Sequence, residues 1–501
     1  MGPRILGAMA NPPDHERQLE EDAAQLQRLG YAQQLLRGMG GFSNFAVSFS
    51  IISILTGAVT LYGHGLRFGG PMVMGVGWPL VAVMTLAVAA SLAQLASSFP
   101  TAGALYHWAA MLGGPRVGFF TAWLNTLGQF AITAGIDYGL AEFLADMLGW
   151  PRERMSVLPL YLAILLSHAA LNHVGVRVVA WLNDFSAWYH VAGVAVLIGA
   201  LALFAPKQDA SFLLTRFSSE TPLYAYGFLI GLLQAQWTFT GYDASAHISE
   251  ETRDPTRNAP WGIFLSVAVS AVAGYLLLGA VTLAIQDLPT TAAAANPFLY
   301  VLTQALGPAL GGALVWVAIG AMWFCGLSSV TSNSRMLFAF ARDNGLPASK
   351  WLAQVSPRFR SPAVAVWVSV AGSGVVALWA EAYAAMVALS TLALYASYAL
   401  PVWVGFRARR AGTWAHRGPW DLGRASPWVN GVALAWSAVV MVLFVLPPNQ
   451  LAGYTFAGAL VLLGLYWALV QRHTFTGPQV TLLRPPAATA TSAAPSSPSS
   501  G

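Results

Sequence analysis

The stretch WTFTGYD at residues 237–243 places Thr and Gly near the centre of an apolar run at 223–247. A second apolar run, at 43–66, carries SILTG at 53–57 in the corresponding position. Gly and β-branched residues weaken a helix, and hydroxyl side chains can hydrogen-bond to the nearby backbone. Each stretch therefore indicates a discontinuous helix, and ordinary helix packing through Gly and Thr is the alternative.

Apolar runs long enough to cross a membrane recur through most of the chain. Besides the two interrupted runs, we place them at 73–97, 117–146, 156–175, 179–205, 261–285, 306–332, 363–381, 383–405, 428–446 and 452–470. The runs are too long and too uniformly apolar for the strands of a barrel. They predict an all-α polytopic membrane protein of about 12 transmembrane helices.

The composition agrees with this fold class. The chain is 56% hydrophobic and 9% charged, whereas roughly a quarter of an ordinary soluble domain is charged. Its 25 Lys and Arg and 20 Asp and Glu residues are too few to cover a soluble exterior of this size. The single cysteine, Cys325, excludes a disulfide framework or a cysteine-rich metal site. We expect no metal and no cofactor.

The basic residues are distributed unequally between the two sides of the predicted bundle. Of the 25 Lys and Arg residues, all but five fall on the side of the termini, and the five are Arg67, Arg152, Arg154, Lys207 and Arg216. Positive charge is retained on the cytoplasmic side of a membrane. We therefore predict a multi-pass plasma-membrane protein (inner membrane if bacterial) with cytoplasmic termini. The excess positive charge then reflects topology and predicts no nucleic-acid partner.

The two ends of the chain are more polar than the region between them. Residues 1–40 contain no cleavable signal peptide and form a predicted cytoplasmic arm, in which 16–37 is compatible with a short amphipathic helix beside the membrane. The transmembrane domain is predicted over 41–472. The tail, 473–501, is rich in Ala, Pro, Ser and Thr and is predicted to be disordered and cytoplasmic.

Several motifs resemble one transporter family. They are GFSNF at 41–45 with GGP at 69–71, the 237–243 stretch continuing into EETRDP at 250–255 and RNAP at 257–260, SRMLFAFARD at 334–343, FPTAGALY at 99–106 and GPWDLG at 418–423. Together they resemble amino acid permeases of the amino acid–polyamine–organocation superfamily. The closer resemblance is to its amino acid/choline branch, which includes γ-aminobutyrate permeases. One departure is that SILTG at 53–57 replaces the Gly-x-Gly of many members.

The resemblance implies a leucine-transporter-like bundle of two five-helix inverted repeats, about 41–205 and 221–406, followed by two extra helices at about 428–470. In that family the substrate carboxylate meets backbone N–H groups of the first broken helix, and its amine meets carbonyls of the second. An anion suits a half-helix N-terminus and a cation suits freed carbonyls. The carboxylate site carries over to Ser53, Thr56 and Gly57, and the amine site to Thr238, Phe239, Thr240 and Gly241.

One aromatic residue of the second break, Trp237 or Phe239, is expected to cover the ammonium by a cation–π contact. For Trp237, a packing or lipid-facing position is the alternative.

Ionisable residues inside the predicted spans are costly and are therefore candidates for function. His190, seven residues after Asn183, stands where proton-coupled members of the family have a lysine, and it is expected to couple the proton to the substrate. A structural histidine is the alternative. Asp137 and Asp243 are expected to line the pathway, hold amines or pin helices. Glu250, Glu251, Arg253 and Arg335, at the cytoplasmic ends of spans 6 and 8, are interpreted as interfacial charge in preference to a salt-bridge gate.

These features predict a secondary active transporter for amino acids or related amines such as γ-aminobutyrate, by proton-coupled symport with alternating access. The expected partners are a small-molecule substrate, the proton and membrane lipid. An amino acid, polyamine or choline exchanger is the alternative, and a channel or structural membrane protein is less favoured. The chain lacks the Gly-x-Ser-x-Gly and His-Glu-x-x-His patterns of an intramembrane enzyme and the phosphate-binding loop of an ATP-driven pump, so we predict no enzyme.

Overall fold

The computed structural model describes residues 12–379, 383–414 and 416–478. Residues 1–11 of the predicted arm and the predicted disordered tail beyond 478 lie outside this range. Within the described part of the chain the regular structure is helical, and one isolated bridge joins Met39 to Thr252.

Twelve segments correspond to the predicted spans and are numbered in chain order. The continuous ones are span 2, Val73–Ser98; span 3, Pro115–Leu148; span 4, Arg154–Val174; span 5, Val176–Phe204; span 7, Pro255–Leu283; span 8, Pro297–Arg342; span 9, Ala363–Trp379; span 10, Tyr383–Arg410; span 11, Ser426–Leu443; and span 12, Gln450–Leu469. Span 1 is divided into Gly41–Ile52, Gly57–Thr60 and Tyr62–Gly69. Span 6 is divided into Tyr224–Gly231, Leu233–Thr238 and Ala244–His247.

Nine helices of the described chain are long and apolar enough to cross a membrane, judged by length and composition. Of the other three spans, span 3 carries a series of buried polar side chains, span 6 is broken, and span 9 has 17 residues. The all-helical, polytopic fold predicted from the sequence is confirmed.

Span 8 is longer than its predicted range of 306–332. Gly307, with φ 80° and ψ 162°, breaks the helix near its start, and the helix then continues to Arg342. The prediction ended the span too early because Asn333, Ser334 and Arg335 are polar. All three are buried against protein, so their polarity did not mark a lipid–water boundary.

Shorter helices lie outside the spans. They are Pro12–Arg28 in the arm, and Leu105–Gly113, Leu288–Ala293 and Ser349–Leu352 in connecting segments. The arm helix ends at Arg28 instead of continuing to 37, because Gly30 has φ 89° and the chain beyond it is extended.

Spans 1 and 6 lie at the centre and pack against spans 3, 8 and 10. The centre of the bundle is polar as well as close-packed: for example, Thr133 of span 3 and Ser329 of span 8 are joined hydroxyl to hydroxyl at 2.7 Å. Span 12 lies at the periphery, where Ala452 is its buried residue. The two broken helices are thereby held between layers of continuous helices, as their positions five spans apart predict.

Candidate functional site

The break in span 1 is a tight turn built around Ser53. Its backbone has φ 24°, and its carbonyl accepts the amide protons of Thr56 at 2.7 Å and Gly57 at 3.0 Å. The Ser53 and Thr56 hydroxyls lie 2.6 Å apart. Two of the amides expected to receive a carboxylate therefore donate to Ser53 in this conformation. The helix restarts at Gly57, with its N-terminus at the break.

The break in span 6 depends on Gly241. The helix ends at Thr238, and the Thr240 amide donates back to the Trp237 carbonyl at 3.0 Å. Gly241 has φ 89°, a conformation that favours glycine. A Cβ at Gly241 would also lie 2.2 Å from Cγ2 of Ile51 in span 1, so the site has no room for a side chain.

The two breaks meet at Gly57, where an added Cβ would lie 2.5 Å from the Thr238 hydroxyl oxygen. Beside this contact is a small cavity of about 10 Å³, roughly the space that one water molecule needs. It is lined by Ile51, Ile52, Thr56, Gly57, Ile132, Ile136, Trp237, Thr238 and Cys325. Residues from both breaks therefore share one cavity with spans 3 and 8.

Four predicted site residues, Thr56, Gly57, Trp237 and Thr238, line this cavity. The side chain of Phe239 instead packs on Trp78, with ring centroids 4.5 Å apart. Ser53 hydrogen-bonds to His190, and the Thr240 hydroxyl donates to the Trp237 carbonyl at 2.5 Å.

Trp237 is buried, with 3% of its surface exposed, so it does not face lipid. Its indole Nε1 donates to the Ser390 hydroxyl at 2.9 Å, and its ring meets Tyr383 edge to face at 6.2 Å. The Tyr383 hydroxyl donates to Thr60 at 3.0 Å. Tyr383 and Thr60 also line a wider vestibule, together with Arg67, Glu142 and Arg152. The Trp237–Tyr383 pair therefore separates the cavity from this vestibule.

His190 joins span 5 to the break in span 1. Its Nδ1 lies 2.8 Å from the Ser186 carbonyl and its Nε2 lies 2.7 Å from the Ser53 hydroxyl. A carbonyl oxygen only accepts, so Nδ1 carries a proton and Nε2 of the neutral ring accepts from Ser53. His190 is thus joined directly to the break in span 1 by a hydrogen bond to Ser53.

Asp137 lies one residue beyond the cavity wall at Ile136 and faces span 4. Its Oδ2 is 3.2 Å from Nδ1 of His168, and both side chains are fully buried. Oδ1 has no hydrogen-bond partner among the described residues, and Gly326 of span 8 covers the pair closely. Asp137 is thus joined to a histidine that the sequence interpretation did not include.

Asp243 lies at the end of the span 6 break, inside a buried polar cluster. Tyr398 donates to its Oδ1 at 2.8 Å, and Oδ2 lies 3.3 Å from Nδ2 of Asn125, 3.5 Å from Nε2 of Gln129 and 3.2 Å from Nε2 of His247. None of these four partners was predicted from the sequence. One signal was available: span 3 carries Asn125, Gln129, Thr133 and Asp137 at intervals of four residues, which is one helix face.

Buried ion pairs close the end of the bundle that carries the arm, which we call the arm end. Arg335 makes a two-pronged contact with Glu251 at 3.0 and 3.2 Å, and Arg342 contacts Glu250 at 2.7 and 2.9 Å. Glu250, Glu251 and Arg335 are fully buried. Burial raises the pKa of Glu250, but the charge and hydrogen bonds of Arg342 outweigh it and hold that pKa below its ordinary value. The interpretation of these residues as interfacial charge is therefore wrong.

The arm covers this end of the bundle. Tyr31 donates to Oδ2 of Asp343 at 2.7 Å, and the Arg342 guanidinium lies 3.9 Å above the Tyr31 ring. His107 reaches the same Asp343 oxygen at 3.1 Å. Arg37 donates to the carbonyls of Ser249 and Thr252 beyond span 6. The cavity is thus separated from the arm end by several layers of contacts, and from the vestibule by one pair of rings.

Comparison with known proteins identifies the family to which the chain belongs. A family model described as amino acid permease matches residues 40–468. The amino-acid permease BAT1 of Arabidopsis thaliana is 36% identical, covering 93% of this chain and 98% of its own length. The BAT1 homolog of Oryza sativa subsp. japonica is 38% identical, with 92% and 96% covered. A GABA-specific permease of Saccharomyces cerevisiae is 26% identical, with 92% and 86% covered.

The family model spans the helices from the first break to the last span, and the two plant relatives align over nearly the whole of both chains. Together with the multiple apolar helices, these matches identify an integral, multi-pass membrane protein. The chain belongs to the amino acid permease family of the amino acid–polyamine–organocation superfamily.

Proposed function

We propose that the chain is a secondary active transporter that carries amino acids with uncharged side chains, or γ-aminobutyrate, across the plasma membrane by alternating access. The observation that carries the proposal is the meeting of the two helix breaks at Gly57 and Thr238 beside one small cavity. A helix that restarts at Gly57 presents its positive end to a carboxylate, and the helix that ends at Thr238 presents carbonyls to an ammonium.

The lining of the cavity argues for the substrate class. Its walls are mainly aliphatic and aromatic and include Ile132, Ile136 and Trp237. Among the described residues, those that line it carry no charged side chain. A second amine, as in a polyamine, would need a buried counter-charge there. Asp137 and Asp243 are each occupied by a histidine partner outside the lining. A zwitterion with an uncharged chain is therefore favoured over a polyamine.

Orientation is part of the proposal. The five basic residues on the predicted outer side include Arg67 and Arg152, which line the vestibule, whereas the arm end holds Arg335 and Arg342. By the positive-inside rule, the vestibule faces the outside and the arm end faces the cytoplasm. In this orientation the structure is closed towards the cytoplasm by several layers of contacts and towards the outside by the Trp237–Tyr383 pair.

Proton coupling through His190 completes the proposal. The ring accepts from Ser53 when neutral and would donate to the same oxygen when protonated, so its charge acts directly on the break in span 1. Coupling of this kind requires only that the proton stabilises one of the two access states over the other.

The test is uptake by purified protein in proteoliposomes with a panel of labelled amino acids, γ-aminobutyrate, choline and putrescine. We expect accumulation of a zwitterionic substrate when the outside is more acidic than the inside. Uptake that needs a counter-substrate inside and ignores the pH gradient would identify an exchanger instead. Transport of putrescine in preference to every zwitterion would contradict the proposed substrate class.

A further inference from the structure

A buried carboxylate with three hydrogen-bond donors lies just beyond the span 6 break, and a histidine nitrogen contacts it as well. Tyr398 donates to Oδ1 of Asp243, Asn125 and Gln129 direct amide nitrogens at Oδ2, and Nε2 of His247 lies 3.2 Å from Oδ2. The Tyr398 oxygen also accepts the Gly241 amide proton at 3.3 Å, so its own proton is free to be donated. A carboxyl group surrounded by donors in this way is the ionised form.

The ring of His247 has hydrogen-bond acceptors on both sides. Its Nδ1 lies 3.0 Å from the carbonyl of Ala102, and because a carbonyl only accepts, Nδ1 must carry a proton. Its Nε2 lies 3.2 Å from the Asp243 carboxylate, which also only accepts. A neutral ring has a single N–H and can satisfy one of these contacts. Both are satisfied when the ring carries two protons.

We propose that His247 binds a proton against Asp243, and that this proton holds the arm end of the transporter closed. The inference deepens the proposed function by naming a second proton site and the gate that it controls. His190 acts on the break in span 1, whereas His247 acts beyond the break in span 6.

The connection to the gate passes through one residue, Ala102, in the segment between spans 2 and 3. Its carbonyl accepts from His247, and its amide donates to Oε1 of Glu250 at 3.1 Å. The same carboxylate forms the ion pair with Arg342. With two protons the ring fastens both Ala102 and Asp243, and Ala102 helps to position Glu250 for its ion pair with span 8. When one proton leaves for water at the arm end, the remaining N–H serves only one of the two partners. Either the bond to Ala102 is lost or Asp243 stays buried without its partner, and both disfavour the closed arrangement.

Other ionisable groups around this site have partners of their own. Arg335 pairs with Glu251, Arg342 with Glu250, and His107 with Asp343. Tyr398 donates to Asp243, and the Tyr395 and Tyr242 rings lie 5.4 and 5.2 Å from the Tyr398 ring. Of the two histidines at this end, His247 contacts the break in span 6 and His107 contacts the arm. Each therefore needs its own variant in a test of pH dependence.

The test measures opening of the arm end without transport. A reporter cysteine replaces Ala339, a buried residue of span 8 on the same face as Arg335 and Arg342, in a Cys325→Ser background. Purified protein in nanodiscs is alkylated with a polar maleimide between pH 5.5 and 8.0. Each rate is divided by that of Asp209→Cys, an exposed loop position that corrects for the thiol chemistry. The ratio for the Ala339→Cys protein should rise about tenfold over this range.

The variants separate the proposed site from its neighbours. In His247→Gln the ratio should be high and independent of pH, because Gln cannot take the proton and Asp243 stays buried without it. In Asp243→Asn the ratio should likewise be independent of pH, because no carboxylate remains to bind the proton. His107→Gln should keep the slope. If His247→Gln does not fold, Asp243→Asn gives the same comparison. A flat ratio in the parent protein, or a slope that survives in both variants, overturns the inference.

This result is independent of the proposed substrate. If the alkylation ratio depends on pH but the protein transports no zwitterion, the His247 gate is supported and the proposed function is contradicted. If the protein accumulates amino acids on a proton gradient but the alkylation ratio does not depend on pH, the proposed function is supported and the gate is contradicted.

Discussion

The Thr238 hydroxyl lies where a side chain on Gly57 would begin: a Cβ added to Gly57 would be 2.5 Å from its oxygen and 2.8 Å from the Thr238 Cα. The second distance involves backbone, which cannot rotate away as a side-chain tip can. The two breaks therefore touch because Gly57 has no side chain. Any residue larger than glycine must push the two half-helices apart.

The first prediction follows from this contact. Gly57→Leu, and likewise Gly241→Leu, should lower substrate affinity by more than about 100-fold, or some 2.7 kcal/mol, because the breaks can no longer form their shared cavity. Binding is measured by scintillation proximity on purified protein with the zwitterion that the uptake panel identifies.

A matched control is Gly279→Leu in span 7, where an added Cβ meets nothing within 4 Å. This variant should bind as the parent protein does. Normal binding by both Gly57→Leu and Gly241→Leu would show that the substrate lies elsewhere.

Hydropathy and local backbone chemistry account for what the sequence predicted. The spans follow from apolar length, and both breaks follow from Thr-Gly pairs in mid-run. The partners of the buried charges do not follow, because they are set by packing between distant segments. His247 reaches a backbone carbonyl at Ala102, 145 positions away. The sequence predicts Arg335 at the membrane–water interface because it shows the charge of this residue and not the buried Glu251 that lies beside it.

The second prediction concerns that ion pair. Arg335→Gln should destabilise the protein by about 3–5 kcal/mol, because it leaves the buried Glu251 carboxylate without its partner. The double substitution Arg335→Met with Glu251→Leu should recover much of the loss. Stability is compared by the temperature at which the folded fraction is lost in size-exclusion chromatography.

A less buried pair provides the control. Arg409 contacts Asp421 at 2.7 Å with part of both side chains exposed, so Arg409→Gln should change stability by no more than about 1 kcal/mol. Equal losses of stability in Arg335→Gln and Arg409→Gln would mean that the burial of Arg335 and Glu251 does not increase the cost of breaking their ion pair.

The third prediction uses the arm contact at Asp343. Burial raises the pKa of this carboxyl, but hydrogen bonds from His107 and Tyr31 and the nearby positive charge outweigh it and lower the pKa. A carboxyl group whose pKa is lowered in the folded protein contributes its full stability at pH values above the ordinary pKa of about 3.9. That contribution is lost as the pH falls through the lowered pKa of the folded protein. Asp343 should therefore hold the arm equally well from pH 5.5 to 8.0.

Removing the Tyr31 hydroxyl tests this contact. Tyr31→Phe keeps the ring under Arg342 but loses the donor to Asp343, which should weaken arm docking by about 1.5–3 kcal/mol. Proteolytic cleavage within the arm should accelerate by a similar factor at both pH 5.5 and pH 8.0. An effect confined to one of these pH values would contradict the assignment to an Asp343 that remains ionised.

The fourth prediction fixes the orientation. A polar thiol reagent applied to intact cells should label Asp209→Cys, in the connection after span 5, and should not label Lys350→Cys, in the helix Ser349–Leu352. The physical reason is the concentration of basic residues at the arm end. Permeabilised cells serve as the control, in which both positions should react. Labelling at 350 but not at 209 in intact cells would reverse the proposed orientation.

The last prediction concerns His190. His190→Gln keeps a donor and an acceptor near Ser186 and Ser53 but cannot titrate. Uptake should lose most of its pH dependence, and accumulation on a proton gradient should fall more than exchange of internal for external substrate. Exchange needs no net movement of the proton, whereas accumulation does.

The measurement is uptake into proteoliposomes with a controlled pH gradient, with the parent protein and His190→Gln side by side. His173→Gln is the matched histidine control, because His173 lies at the exposed end of span 4 against Trp367 and away from both breaks. It should accumulate substrate as the parent protein does. If His190→Gln does so too, the ring only joins span 5 to Ser53 and the coupling proton is held elsewhere. His247 is proposed to act on the arm end, so the alkylation of Ala339→Cys reports on it separately. If His190→Gln loses accumulation while the pH dependence of that alkylation is unchanged, the two histidines control separate steps.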